Sequence, residues 1–213
     1  MEILSHRGYW KTESEKNSLI AFERSFSLGF GTETDFRDLN GTLVISHDIP
    51  SLKMQDVITA DDFFNLYKSI GNNLPLALNI KADGLQEKLL QLINEYEIEN
   101  YFVFDMSIPD TIGYLKKGLK TFTRQSEYEE YPAFLDQSEG IWMDEFNKHW
   151  ISHEAIKKHI QNDKKVCIVS PELHKRDKST EWANYKVISG LISTKKIMIC
   201  TDLPEEAKEY FNL

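Results

Sequence analysis

A closed (β/α)8 barrel of the TIM type, forming a single domain, is the architecture this sequence predicts, and three observations predict it. Strand-like and helix-like segments alternate along the whole chain, giving eight strand–helix units. Strand segments such as Val166-Cys167-Ile168-Val169 and Ile197-Met198-Ile199-Cys200 are continuously apolar, as in a parallel sheet covered on both faces. The 213 residues lie near the lower length limit for such a barrel. The runner-up is an open doubly wound sheet, which usually has fewer units. A glycine-rich G-x-G-x-x-G turn, which would mark a dinucleotide site, is absent after the first strand.

The first strand is Glu2 to Ser5. A helix follows from about Ser18 to Leu28, with Asn17 as its N-cap, Gly29 just past its end, and Leu19, Phe22 and Phe26 as its apolar stripe. The second strand covers Gly31 to Asp35. Leu43 to Ser46 is extended again, and the Asn40-Gly41 dipeptide predicts a hairpin that leaves His47 on its exit. Thr59 and Asp62, three residues apart, open a second helix that ends near Gly71. Leu76 to Lys81 is a strand, and Leu85 to Tyr96 a helix with Leu89, Leu92, Ile93 and Tyr96 on one face. Tyr101 to Asp105 is a strand followed by a helix from Pro109, a residue suited to a first turn. The next unit pairs strand Lys120 to Thr123 with a short helix, Glu127 to Leu135, that contains Pro132. Strand Gly140 to Asp144 precedes a helix from Ser152. Strand Lys165 to Ser170 precedes helix Thr180 to Ile192, and strand Lys196 to Thr201 precedes a helix after Leu203-Pro204.

Composition narrows the function classes. With 41% hydrophobic and 28% charged residues, the chain reads as one ordinary globular domain spanning 1–213, with no linker or internal repeat. No stretch approaches the 18 apolar residues of a transmembrane segment, and no leader pattern opens the chain, so a cytoplasmic protein is expected. The net charge of −9 argues against nucleic acid or an anionic membrane as the main partner. It leaves room for a small anionic substrate held by a few local cations. Cys167 and Cys200 lie in apolar strands without metal-site spacing and read as reduced core thiols. Nothing in the sequence sets the oligomeric state.

In a (β/α)8 barrel the chemistry sits at the C-terminal ends of the strands. Reading those positions in turn gives His6 and Arg7, then Glu33 and Asp35, then His47 and Asp48 on the hairpin exit. Asn79 and Lys81 follow, then Asp105, Arg124, Asp144, the run Ser170-Pro171-Glu172-Leu173-His174, and Thr201-Asp202. Strand alternation points Glu33 and Asp35 the same way, with the spacing to clasp one Mg²⁺ or Ca²⁺. Arg7 and Lys81 are the cations a phosphate needs. His6 and His47 suit acid–base work near neutral pH. Together these types suit phosphoryl transfer at a carboxylate-bound metal. Bland readings stand beside the sharp ones. Asp105 and Asp144 each have a helix N-cap as the alternative, favoured for Asp105; Arg124 reads also as a surface ion pair, Asp202 as the cap of the last helix, and Trp10 as core or pocket wall. His149, His153 and His159 are expected to be solvated on the outer layer.

His6-Arg7-Gly8, Asn17-Ser18-Leu19-Ile20-Ala21-Phe22, Glu33-Thr34-Asp35, His47-Asp48, Asn79-Ile80-Lys81 and Thr201-Asp202-Leu203-Pro204 together resemble the glycerophosphodiester phosphodiesterase family. That family belongs to the phosphatidylinositol-phospholipase-C-like phosphodiesterases. The resemblance runs from residue 3 to about 207 and is densest in the first fifty residues. It implies a barrel with His6 and His47 as the acid–base pair, Arg7 and Lys81 as phosphate contacts, and Glu33, Asp35 and position 79 as ligands of a divalent ion, Mg²⁺ or Ca²⁺. The implied substrate is a small phosphodiester, either a glycerophosphodiester or a glycan- or lipid-head-group-like diester. Three departures mark a short, divergent branch. The family's third metal-ligand Glu is Asn79 here, with Asp105 or Asp144 as candidates to compensate. Its Pro-Glu-Asn is Glu15-Lys16-Asn17. Only 28 residues separate His47 from the Leu76 strand, too few for the usual family insertion. Asp144 and Glu172, with Asp105, are possible additional site residues. Asn79 also motivates the alternative, a non-catalytic phosphate-ligand binding module on the same barrel.

Overall fold

The computed structural model describes residues 1–50, 57–71, 73–190 and 196–213. Its strands are β1 (Glu2–His6), β2 (Gly31–Leu39), β3 (Thr42–Ile45), β4 (Leu76–Ile80), β5 (Tyr101–Phe104), β6 (Phe122–Gln125), β7 (Gly140–Met143), β8 (Lys165–Val169) and β9 (Ile197–Thr201). Its helices are α1 (Leu19–Ser27), α2 (Ala60–Ile70), α3 (Gln86–Glu95), α4 (Ile108–Lys116), α5 (His153–Gln161), α6 (Ser179–Ser189) and α7 (Pro204–Phe211). The strands pair in the order β5-β4-β2-β1-β9-β8-β7-β6, all parallel, while β3 is an antiparallel mate of β2. Between β5 and β6 the ring is held by one bridge, Val103 to Thr121, with the Val103 N–H donating to the Lys120 carbonyl at 2.8 Å. The expected barrel is therefore present and nearly closed.

Period-two alternation sorts every strand into an inner and an outer file. The inner file fills the barrel with Leu4, Ala77, Phe102, Phe104, Phe122, Trp142, Cys167, Val169, Met198 and Cys200. Phe102 stacks on Phe122 with centroids 3.7 Å apart, packing across the weak seam, and Phe104 stacks on Trp142 at 4.0 Å. The outer file meets the helices in two separate clusters. One joins α1 to α4 with β2 to β5 around Phe22, Phe63, Phe64 and Tyr114. The other joins α5 to α7 with β7 to β9 around Trp182, Tyr185 and Ile156. Gly31 permits the close β2–β4 approach, since a Cβ there would sit 2.3 Å from the Pro75 carbonyl oxygen.

The structure departs from the sequence expectation in a few places. Residues 127–135 form turns rather than a helix, so among the described residues seven α-helices surround the eight parallel strands. Pro132 removes an N–H from that stretch, and Phe134 adopts a left-handed φ of 57°. Ser18, not Asn17, caps α1, accepting from the Ala21 N–H, while Asn17 stands outside with φ 56°. The Asn40-Gly41 hairpin and the Thr59/Asp62 capping box are as expected, with β2 running on to Leu39. α6 ends at Ser189. Leu191 and Ile192, the last residues of the helix expected there, lie outside the described residues. So does part of the His47–Leu76 connection.

Trp142→Ala should empty the upper barrel interior and destabilise the fold by about 3–5 kcal/mol in urea unfolding. Leu28→Ala, on the exposed end of α1, should change it by less than about 1 kcal/mol.

Candidate active site

The inner file continues upward past the apolar layer and changes character. Above Leu4 stands His6; above Ala77, Asn79; above Phe122, Arg124; above Trp142, Asp144; above Cys200, Asp202. Glu33 and Asp35 occupy the inner file of β2, paired in register with His6 on β1 and Asn79 on β4. The same alternation that packs the core thus lines the mouth with polar groups.

His6 is held by Asp202, whose Oδ1 lies 2.8 Å from Nδ1. That bond leaves the other ring nitrogen, Nε2, for the mouth. Arg7 follows in a left-handed conformation (φ 57°), and Gly8 continues it at φ 79°. A Cβ on Gly8 would lie 2.8 Å from that of Ala21, so this turn packs on α1 only as glycine. The turn aims the Arg7 N–H at the Glu33 carbonyl (2.9 Å) and at Glu33 Oε2 (3.2 Å). It also sets the Arg7 guanidinium Nε 3.0 Å from Asp35 Oδ2, a charge contact without hydrogen-bond alignment. Trp10, half-buried, donates to the His6 carbonyl at 3.2 Å.

Glu33, Asp35 and Asn79 converge as buried groups. Asn79 Nδ2 donates to Glu33 Oε1 at 3.0 Å, and Asn17 Nδ2 donates to Asp35 Oδ2 at 2.8 Å. Asn17 is itself fixed by the Thr34 hydroxyl, which donates to its Oδ1 at 2.9 Å. Two buried oxygens are left without a hydrogen bond, Asp35 Oδ1 and Asn79 Oδ1. Buried acceptors are rarely orphaned unless an ion or water is meant to satisfy them. Burial, and then the Asp35 charge, push the Glu33 carboxyl up to about 7, against the opposing pull of His6, Arg7 and the Asn79 bond. Hard oxygen donors, two of them orphaned, suit a Mg²⁺- or Ca²⁺-sized ion, so these three residues fit the expected ligand set.

Lys81 Nζ lies 3.6 Å from Asp35 Oδ1 and 3.3 Å from Asp105 Oδ2. Asp105 also accepts from Arg124 Nη1 at 2.5 Å, and Arg124 pairs with Glu129. Asp105 is therefore not the cap of α4, a place taken by Ser107. Asp144 accepts from, or shares a proton with, His174 Nε2 at 2.6 Å rather than capping a helix. Glu172 is consumed in scaffolding: Ser170, Thr201 and the Asp202 N–H all donate to it, which holds Asp202 behind His6. His47 stands apart. Its backbone is placed beside β2 by the Ser46 N–H bond to the Asp35 carbonyl (2.9 Å), yet its ring is 46% exposed. The ring meets Asp48, itself 95% exposed, and among the described residues nothing ties it to the other site groups.

A second group, Glu145, His149 and Glu181, brings ligand atoms within 4.8 Å of one another. Arg176 already fills it, with Nη1 3.3 Å from Glu145 Oε2 and Nη2 2.7 Å from Glu181 Oε1. His149 and the N–H groups of Trp150 and Ile151 take Glu145 Oε1. This is a closed ion-pair network that ties the β7 exit to α6. His159, expected to be solvated, is buried against Gln125 at 2.7 Å. Cys167 and Cys200 are free and buried, and burial holds both thiols well above their ordinary value. Sequence reasoning missed Asn17 and Asp202 as second supports of the site. For Asp202, the sequence signals are its place at the end of the last strand and in the Thr201-Asp202-Leu203-Pro204 run.

The Asp144 contact holds the His174 imidazole above its usual value, against burial. Its protonated form therefore contributes stability in full below about pH 6.5 and loses it as pH rises through the raised folded value. Urea midpoints should fall more steeply from about pH 6 to pH 9 for the wild type than for His174→Gln. Parallel slopes would remove the pair's role.

No family model matches the sequence, and no curated protein matches it. Solved structures do match its fold. A provisionally assigned glycerophosphodiester phosphodiesterase from Galdieria sulphuraria is similar with a TM-score of 0.77 at 20% identity, over 100% of this chain and 98% of that one. A phosphodiesterase from Oleispira antarctica, solved with the product sn-glycerol-3-phosphate, is similar at 0.68 and 11% identity, over 100% and 97% of the two chains. A Ca²⁺-dependent phosphatidylinositol-specific phospholipase C from Streptomyces antibioticus is similar at 0.58 and 10% identity, over 97% and 95%. At 20% identity or less, these likenesses show a shared barrel fold.

Proposed function

We propose that the chain is a divalent-metal-dependent phosphodiesterase acting on a small glycerophosphodiester or a related head-group-like diester. The observation that carries this reading is the buried Glu33–Asp35–Asn79 cradle, with two orphaned oxygens beside two cations and a carboxylate-held histidine. The fold likeness to phosphodiesterases supports it, including one solved with sn-glycerol-3-phosphate and one described as Ca²⁺-dependent.

In this reading Glu33, Asp35 and Asn79 hold the ion, which when bound neutralises charge on the phosphoryl oxygens. Arg7 and Lys81 bind the non-bridging oxygens, one as a fork and one as a point charge. Asp202 orients His6 so that Nε2 moves the proton. His6 and His47 divide the work: one deprotonates the nucleophile, the other protonates the leaving oxygen. Water, or a neighbouring hydroxyl of the substrate, is the nucleophile. Two unpaired buried thiols accord with a reducing, cytoplasmic setting. Among the described residues, no helix is long and apolar enough to cross a membrane.

Asn79 favours one second reading, a phosphate-binding module without turnover, because a neutral ligand removes one charge from the cradle. Both are tested together. Wild-type protein should hydrolyse glycerophosphodiesters only with Mg²⁺, Ca²⁺ or Mn²⁺ present, and His6→Ala should lower kcat by about 10²-fold or more. If no metal gives turnover while a phosphate ligand still raises Tm, the binding-module reading replaces the enzyme. Asn79→Glu should tighten divalent-ion binding about tenfold in calorimetry, since a third carboxylate adds charge to the site. Asp35→Asn should abolish the metal-induced rise in Tm.

A further inference from the structure

The exits of β8 and β9 share a chain of hydrogen bonds whose direction is fixed at both ends. Trp182, buried on α6, can only donate from its indole N–H, and it donates to Ser170 Oγ at 2.8 Å. Ser170 then gives its own proton to Glu172 Oε2. At the other end the Leu203 N–H donates to Thr201 Oγ1 at 3.0 Å, and the Thr201 proton goes to Glu172 Oε1. The same Oε1 accepts from the Asp202 N–H at 3.2 Å. Glu172 therefore receives on both carboxylate oxygens, and the two hydroxyls that reach it belong to fully buried residues.

Local backbone aims Glu172 at this place. The Ser170 N–H donates to the Cys200 carbonyl at 2.9 Å, which keeps the end of β8 against β9. Pro171, with its fixed φ, opens a 3-10 turn, Pro171–His174, and that turn lays Glu172 on Thr201 and Asp202. One bond further, Asp202 Oδ1 meets His6 Nδ1 at 2.8 Å. The two side chains are 19% and 17% exposed, so water competes for both at the mouth. A free aspartate in such a turn would divide its time between the imidazole and solvent.

We infer that Glu172 is a positioning residue for the reaction. Through Thr201 and the Asp202 N–H it holds the turn from which Asp202 keeps the His6 imidazole in one tautomer, with the proton on Nδ1 and the lone pair of Nε2 facing the mouth. The inference rests on the phosphodiesterase reading for its effect on turnover, but not for the state of the imidazole. Glu172 moves no proton itself, since its oxygens are taken by two hydroxyls and a backbone amide. What it supplies is pre-organisation: His6 is in the working tautomer before substrate arrives. A Glu172 that merely joined β8 to β9 would contribute to stability without reaching His6.

The test combines hydrolysis of glycerophosphocholine by the full chain, with Mg²⁺, and ¹⁵N NMR of the His6 imidazole. Glu172→Ala should lower kcat about 30-fold and leave KM within about twofold. Glu172→Gln keeps an acceptor oxygen for Thr201 and the Asp202 N–H, and should recover most of that loss. Because Glu172 acts through Asp202, adding Glu172→Ala to Asp202→Ala should slow the enzyme by less than about twofold more. Thr201→Val, which removes one link at nearly constant volume, carries the same cycle if Glu172→Ala does not fold. The ¹⁵N shifts should show the Nδ1–H tautomer in the wild type and a mixture in Glu172→Ala. His149→Gln, in the neighbouring ion-pair network, should lower the urea midpoint yet leave kcat within about twofold. An undiminished loss in the Asp202→Ala background would overturn the inference. So would a kcat loss that His149→Gln reproduces, or a wild-type imidazole already in both tautomers. If the wild type hydrolyses no diester while the His6 tautomer still depends on Glu172, the positioning stands and the phosphodiesterase reading falls.

Discussion

Two carboxylates buried two residues apart on one strand repel each other, and much of the mouth is arranged around that repulsion. Glu33 and Asp35 both face into the barrel, where water cannot screen them. Arg7 answers from β1, but only because the chain turns left-handed there, a conformation that costs a non-glycine residue of order 1 kcal/mol. Lys81 answers from β4, and Asn17 and Asn79 answer with amide donors. Asn79 looks different in this light. A carboxylate in its place would have added a third negative charge to the cradle; the amide donates to Glu33 and still offers an oxygen. The side chain that weakens the expected ligand set also stabilises the two that remain.

The mouth divides along the barrel axis. On the side of β1, β2 and β4, polar atoms are left with unused capacity. On the side of β7, β8 and β9, they are saturated: Asp144 with His174, Glu172 with three donors, Glu145 with Arg176, His149 and backbone amides. Saturated networks are scaffolds, whereas unsatisfied ones wait for a ligand. Asp202 crosses between the two sides, anchored by Glu172 on the saturated side and presented to His6 on the other.

Much of this could be read from residues in order. Alternation is a local property, so Glu33 with Asp35, and Asn79 below Lys81, declare a shared face without any knowledge of the fold. The barrel follows from counting such strands. What stayed hidden involves distance or competition. His6 and Asp202 are separated by nearly the whole chain, and Asp105 could be a cap or an ion-pair partner until Ser107 is seen to hold the cap. Where a helix was expected at 127–135, turns hold the Glu127 carboxylate against the amides of Phe146, Asn147 and Lys148, contacts that no local pattern announces. His159 is buried by Gln125, which a helical wheel of α5 alone would not show.

The strand order carries a consequence for how the molecule is made. β1 and β9 lie side by side at the centre of the ring, and the weak seam lies between β5 and β6, neighbours in sequence. During synthesis β2, itself backed by β4, can pair with the nascent first strand early, but the other edge of β1 stays open until β9 leaves the ribosome. For most of translation His6 sits at an uncovered sheet border, without Asp202 behind it. Any chaperone or co-translational safeguard this protein needs would therefore act on the edge of its first strand, and the site becomes whole only at the last strand to emerge.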